Sequence, residues 1–350
     1  MTGENRTRID NGSDQTRFPW LGTYRLSRLE NQLLSDSLRH FLMFTDGQFP
    51  KDVARQSLLA QIAADKSIAQ AAPGLNRLIE KVRADLVDGI YVTNLPTEKS
   101  ITYLLSLTLG SSIGSVFNYG SQNGGRLVME TACDPNEPED DGAELDWRTE
   151  GASIPRERRA EWIGLIGIEN TPGSYTAYAP IKPVEQTLSS RAKAWLYSPS
   201  ASFRSLDSPA SDPPTWSAPR AILSRSPLGH TEIAWPGGAV RAARRDDAIG
   251  AGALAELSSE INRQHVRLSI EAGCFLAFNN LRGVHRQAIA SNGYCLCYKT
   301  YARHSLRALQ AKGESGPIFS LTEASTSRRD LADFQHPRAT KGEPEHRIHA

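Results

Sequence analysis

At 350 residues the chain can bury one large core or two modest ones, and length does not choose between them. Its 40 basic and 39 acidic side chains leave a net charge of +1. That balance excludes a global field able to recruit nucleic acid or an anionic membrane, so a small molecule is the expected partner. The composition, 39% hydrophobic and 23% charged, is that of an ordinary soluble protein, and no apolar run approaches the roughly 20 residues that span a bilayer. Met1 to Arg17 is polar, without the apolar centre of a signal peptide, so a cytoplasmic location is expected.

Residues 1–18 and 326–350 are polar and charged with little to bury, and both are expected to be flexible tails around one domain over 19–325. From Leu26 to Leu86 the apolar residues recur every three or four positions (Leu26, Leu29, Leu33, Leu34, Leu38, Phe41), which predicts helices. Pro73-Gly74 punctuates them before a further helix over Leu75 to Leu86. After Asp88-Gly89 the pattern turns to short strands: Ile90–Thr93, Leu127–Met129, Trp162–Ile168, Ile222-Leu223, Val240, Val266–Ile270, Cys274–Phe278 and Tyr294–Tyr301. Helices interrupt them over Ile101–Leu109 and Asp247–Gln264. Ser198 to Pro219, rich in Ser and Pro, reads as a long irregular loop. The fold class is α+β, with an antiparallel sandwich or barrel at the centre. The four cysteines (Cys133, Cys274, Cys295, Cys297) form no CxxC; Cys295 and Cys297 are expected to point apart, as reduced apolar residues and not zinc ligands.

Three segments carry chemistry. They are Gly142–Ala152 followed by Trp162–Asn170, then Glu271–Arg286, then Cys297–Arg307. In order and spacing they resemble the clavaminate-synthase-like, taurine-dioxygenase-type oxygenases, whose corresponding segments read roughly L-E-W-H-T-E-x-A, P-G-D-L-L-x-x-D-N-x-R-x-x-H and L-x-R-x-x-x-x-R-D-L-R. Gly89–Pro96 and Tyr119–Val128 fit that family's early strand and glycine-rich turn, so the resemblance spans about residues 25 to 310. It implies a double-stranded β-helix (jelly-roll) core with flanking helices. It also implies Fe(II) held by two His and one carboxylate, with 2-oxoglutarate bound beside it.

On that resemblance Glu150 stands at the carboxylate position and His285 at the distal His, but the proximal His position is Arg148. A guanidinium has no lone pair for a metal, and Arg148 is expected to pair with Glu150 instead. Lys299 stands where the family clamps 2-oxoglutarate with Arg, and Arg303 retains the second Arg. Gln122 matches a substrate-contacting position, and Cys274 and Asn279 replace aspartates. His230-Thr231-Glu232 is a second H-x-E that offers a replacement metal site, and Asp146 is another conceivable third ligand.

The sequence therefore supports three readings. The first is an enzyme without the iron triad, in which Arg148, Glu150, His285 and Lys299 handle an amino-acid-like carboxylate by redox-neutral lyase, cyclase or isomerase chemistry. The second is an Fe(II)/2-oxoglutarate oxygenase with an unconventional ligand set that includes Glu150 and His285. The third is a non-catalytic binding protein on the same fold.

Overall fold

The computed structural model describes residues 18–43, 50–120, 126–133, 146–171, 174–204, 216–288, 294–310 and 316–319. Residues 1–17 and 320–350, which take in both expected tails except Phe18, lie outside these, as do Gln122 and the 205–215 part of the Ser/Pro-rich segment. No helix among the described residues is long and apolar enough to cross a membrane.

The centre is an eight-stranded mixed sheet. Its order is Leu21–Arg25, Gly89–Thr93, Phe275–Asn279, Trp162–Asn170, Cys295–Arg303, Ser115–Tyr119 and Ile318–Phe319, with Val128–Cys133 also paired to Cys295–Arg303. Leu21–Arg25 runs parallel to Gly89–Thr93, and Ile318–Phe319 parallel to Ser115–Tyr119, so the wholly antiparallel expectation is corrected. A second sheet joins Val266–Leu268, Tyr175–Pro180 and Gly283–Ala288. This is the jelly-roll core with flanking helices that the motif order implies.

Side-chain alternation sorts the large sheet into two apolar faces. Ile90, Val92, Trp162, Ile166, Phe275, Ala277 and Ala302 pack on helices. Ile163, Leu165, Leu276, Phe278, Cys297 and Tyr301 face Tyr178, Val266 and Leu268 of the second sheet. A strand covered on both sides reads as an unbroken apolar run, and Phe275–Asn279 is buried at every residue. The helix Lys99–Ile113, apolar nearly all round, is buried between the sheet and the outer helices Arg28–Met43, Val53–Ala63 and Pro73–Arg83. Proline at the first position of Pro73–Arg83 suits a turn whose N–H groups have no helical partner. On the other flank, Ala248–Gln264 covers the second sheet, its start capped by Asp247, which accepts from Gly250 N–H at 2.8 Å.

Three local expectations change. Ala201–Phe203 in the Ser/Pro-rich segment is a strand paired with Val240–Ala242. The strand Tyr175–Pro180 and the helices Ile181–Thr187 and Ser190–Leu196 follow Trp162–Asn170 without having been expected. Cys295 and Cys297 do not point apart, because residues two apart on a strand share a face, and their Sγ atoms lie 3.5 Å from each other.

The corner between Phe275–Asn279 and Gly283–Ala288 delivers His285. Asn279 Oδ1 accepts from Leu281 N–H (3.0 Å) and Arg282 N–H (3.1 Å), so an amide oxygen closes the turn where the family pattern has a carboxylate. The Arg282 guanidinium then bridges Asp88 (2.9 Å) and Asp85 (2.6 Å) and anchors this corner to the end of the Pro73–Arg83 helix. Asp85 itself sits at φ 58°, a left-handed residue of the kind that ends helices. Arg282→Met leaves two carboxylates without their cation and is expected to cost about 3 kcal/mol, read from urea unfolding. Arg282→Lys, which keeps the charge but not the two-pronged reach, should fall between the two proteins.

Candidate functional site

Arg148 and His285 face each other across an antiparallel bridge. The N–H of each donates to the carbonyl of the other, both at 2.9 Å. Directly opposed residues in such a pair project to the same side. His285 is also in register with Tyr178 on its other flank, so the histidine lies in the middle of three strands. Thr149 holds the Arg148 segment from behind, donating its N–H to the Trp235 carbonyl at 2.7 Å.

Glu150 follows at a sharp turn. Gly151, at φ +67°, occupies the left-handed region that side chains avoid, and a Cβ there would lie 3.0 Å from Ile154. Asn280, fully buried, fixes the turn from the corner beside His285. Its Oδ1 accepts the Glu150 N–H (2.8 Å), and its Nδ2 donates to the Glu150 and Ala160 carbonyls (3.0 Å each). The carboxylate therefore arrives beside His285 by backbone restraint and not by its own contacts.

Glu150 Oε2 lies 3.7 Å from His285 Nε2 and 3.7 Å from Lys299 Nζ, ion-pair distances longer than a hydrogen bond. That oxygen is buried without a hydrogen-bond partner among the described residues, and so is His285 Nδ1. Lys299 shares the inward face of its strand with Tyr301, and its ammonium lies 5.3 Å from the Tyr301 ring centre. The buried Tyr301 hydroxyl feels the negative charge of Glu150. The expected Arg148–Glu150 pair does not form: the nearest basic side chains to Glu150 are the Lys299 ammonium and the His285 imidazole. The half-buried Arg148 guanidinium makes no ion pair with any described residue. The reason is the turn at Gly151, which swings the carboxylate toward Lys299 while the bridge holds Arg148 opposite His285.

The charges follow from burial. Burial alone would raise the Glu150 pKa, but Lys299, then His285 and Arg148, outweigh it and hold the group far below the usual carboxylate range. His285 is pushed below its ordinary 6.5 by burial, with Arg148 and Lys299 adding to the effect and Glu150 opposing it, so it is a neutral imidazole at neutral pH. Burial, and then the Glu150 charge, hold Tyr301 well above 10 as a neutral donor. Two cations thus face one carboxylate, and the centre carries an excess of positive charge.

Of the remaining candidates, Arg303 is held by other partners. Its guanidinium is taken by Glu161 at 2.9 Å and by the Arg159 carbonyl, so the anion-binding role implied for it meets a group already in use. Glu232 is held in a two-pronged pair by Arg156 (2.5 Å at both oxygens), and His230 sits in the turn before it, its N–H on Ser226 Oγ at 3.1 Å. Asp146 is exposed, and its Oδ1 accepts the Trp147 N–H at 2.8 Å. Among the described residues no three His, Cys, Asp or Glu side chains come together as a metal cluster. The donor set of the centre does not fit a facial triad. It offers two donors, a guanidinium in the third place, and an ammonium 3.7 Å from the carboxylate oxygen. Tyr301 and Asn280 went unrecognised as site residues. Tyr301 was legible as the same-face neighbour of Lys299, whereas the grip of Asn280 on a residue 130 positions away was not.

No family model matches the chain, and no curated protein matches it by sequence. Solved structures do. An asparagine oxygenase in complex with Fe(II), 2S,3S-3-hydroxyasparagine and succinate superposes with a TM-score of 0.72 at 18% identity, covering 87% of this chain and 100% of its own. The non-haem iron oxygenase OrfP, in complex with Fe, succinate and (3S)-hydroxy-L-Arg, gives 0.68 at 15% identity over 85% of this chain and 99% of its own. OrfP with Fe and alpha-ketoglutaric acid gives 0.67 at 15%, over 86% and 100%. At these identities the likeness is one of architecture, and the chain carries the double-stranded β-helix fold of the clavaminate-synthase-like, taurine-dioxygenase-type oxygenases.

Proposed function

We propose that the chain is an enzyme on this oxygenase scaffold that binds a small amino-acid-like carboxylate and acts on it without the iron triad, by redox-neutral proton transfer. The observation that carries the reading is the Arg148 guanidinium. On the resemblance it stands at a ligand position; it is half-buried, makes no ion pair among the described residues, and lies beside a carboxylate already balanced by Lys299. A free planar fork with excess positive charge around it is suited to a carboxylate. His285, neutral and buried, is the proton acceptor. Arg148 and Lys299 stabilise the negative charge that develops on the substrate when its proton leaves. Glu150 keeps the two cations from repelling each other and orients His285 through its charge.

The second reading, an Fe(II)/2-oxoglutarate oxygenase, is favoured by two buried donors, Glu150 and His285, each with an atom that has no hydrogen-bond partner among the described residues. Metal analysis separates the two readings. Protein prepared without oxygen and supplied with Fe(II) is expected to hold well under one iron per chain, and Arg148→His to gain iron by restoring the missing imidazole. One iron per wild-type chain with conversion of 2-oxoglutarate to succinate would remove the first reading.

Amino acids and short carboxylic acids screened by thermal shift should contain stabilising ligands. Arg148→Met should weaken those ligands about tenfold to a hundredfold, the loss of one charge-assisted pair. Asn280→Ala should lower turnover of such a ligand more than it weakens binding, since it loosens the Glu150 turn without touching Arg148.

The lowered proton affinity of His285 fixes the sign of a pH effect. As pH falls below the ordinary 6.5, the unfolded chain takes up a proton that the folded chain refuses. Stability present above that pH is therefore lost on acidification. His285→Gln should flatten the fall of the urea midpoint between about pH 7 and 5, a window set by the ordinary His value; an unchanged slope would place the titrating group elsewhere.

A further inference from the structure

We propose that Arg159 and Arg220 form a second anion-binding site, one turn beyond Glu150, that takes a carboxylate, phosphate or sulfate group. The two guanidinium groups converge on consecutive carbonyls. Arg159 Nε donates to the Ile154 carbonyl at 2.8 Å, and Arg220 Nη1 to the Ser153 carbonyl at 2.8 Å. Arg159 is 6% exposed, and through its remaining N–H groups it donates to no described residue. Neither arginine has a carboxylate within 4.0 Å among the described residues, whereas other arginines nearby do: Arg156 holds Glu232, and Arg303 holds Glu161.

Two like charges packed together without an anion are costly to bury, and the arrangement suits a ligand that supplies the missing charge. Burial, and next the Arg220 charge, push Arg159 down to about 9. Glu232 and Glu157 attract it from farther away, but Glu232 is already taken on both oxygens by Arg156. Burial likewise lowers Arg220, with the Glu157 charge opposing it from beyond ion-pair distance.

The site is preorganised. The backbone of Arg220 exchanges hydrogen bonds with Ala201 (2.8 and 3.1 Å), and its guanidinium stacks 5.0 Å over the Phe203 ring. The flat face is thereby covered while N–H edges stay available, the geometry that takes two oxygens of one anion. On the Arg159 side, its Cγ lies 3.8 Å from the position of a Cβ on Gly151, so the bound anion sits next to the Glu150 turn. The assignment does not depend on the chemistry performed at Glu150.

Calorimetric titration of the full chain with phosphate, sulfate and glutarate, at ionic strength fixed with sodium chloride, tests it. One saturable site per chain is expected. Arg220→Met should weaken that site about tenfold or more, and Arg220→Lys less, because a point charge replaces the fork. Arg148→Met should leave it intact. The ligand-free Arg220→Met protein should melt no lower than wild type, since a repulsion is removed with the charge. Tighter binding of glutarate identifies a second carboxylate as the natural group, and tighter binding of phosphate a phosphorylated one. Binding no stronger than chloride, or an Arg220→Met protein that binds like wild type, overturns the proposal. Arg159→Met need not fold for the Arg220 pair of variants to decide.

Discussion

The centre depends on two backbone hydrogen bonds, exchanged between Arg148 and His285 at 2.9 Å. They fix which side chains share a side, and no choice of side chain at either position alters that. With imidazole in place of Arg148, the same bridge would present two neighbouring nitrogen donors with Glu150 beside them. With arginine, the same backbone presents a cation where a cation would bind. A backbone able to bring three donors together sets a positive charge there instead, a reversal of electrostatic sign relative to a metal centre.

That reversal is tolerated because Glu150 is placed by Gly151 and Asn280, so the carboxylate needs no metal to hold it. Lys299 supplies the positive charge that keeps Glu150 ionised despite burial. An arginine at that position would favour a two-pronged grip on an anion. The ammonium instead gives a compact charge, 3.7 Å from Glu150 Oε2.

How much of this was legible in the sequence depended on whether the signal was local. Strands buried on both faces, such as Phe275–Asn279 and Trp162–Asn170, announce themselves as apolar runs, and Ala248–Gln264 by its spacing. Tyr175–Pro180 mixes small, polar and aromatic residues without clear alternation, and its partners Val266–Leu268 and Gly283–Ala288 lie far along the chain, so it gave no such sign. Motif order brought Arg148, Glu150, His285 and Lys299 together correctly as neighbours. It failed on the pairing of Arg148 with Glu150, because residues two apart share a face only while the chain stays extended, and Gly151 ends that extension at once. The partners of Arg303 were not foreseen for a related reason: Glu161 and the Arg159 carbonyl hold it, and both lie on a segment whose path the motif does not describe.

The strand order also bears on how the chain acquires its shape. Phe275–Asn279 is the hub of the large sheet, with Gly89–Thr93 on one side and Trp162–Asn170 on the other, and both of those leave the ribosome long before it. Until the hub arrives, Ile90, Val92, Ile163 and Leu165 have no partner strand between them, and the emerging chain presents open, apolar edges. The helices from Arg28 to Arg83 need only local contacts and can form first. Closure must then wait for the segment that leads into His285 and for Cys295–Arg303 after it, which pairs with three strands and carries Lys299, so assembly of the centre and completion of the sheet both fall late in the chain.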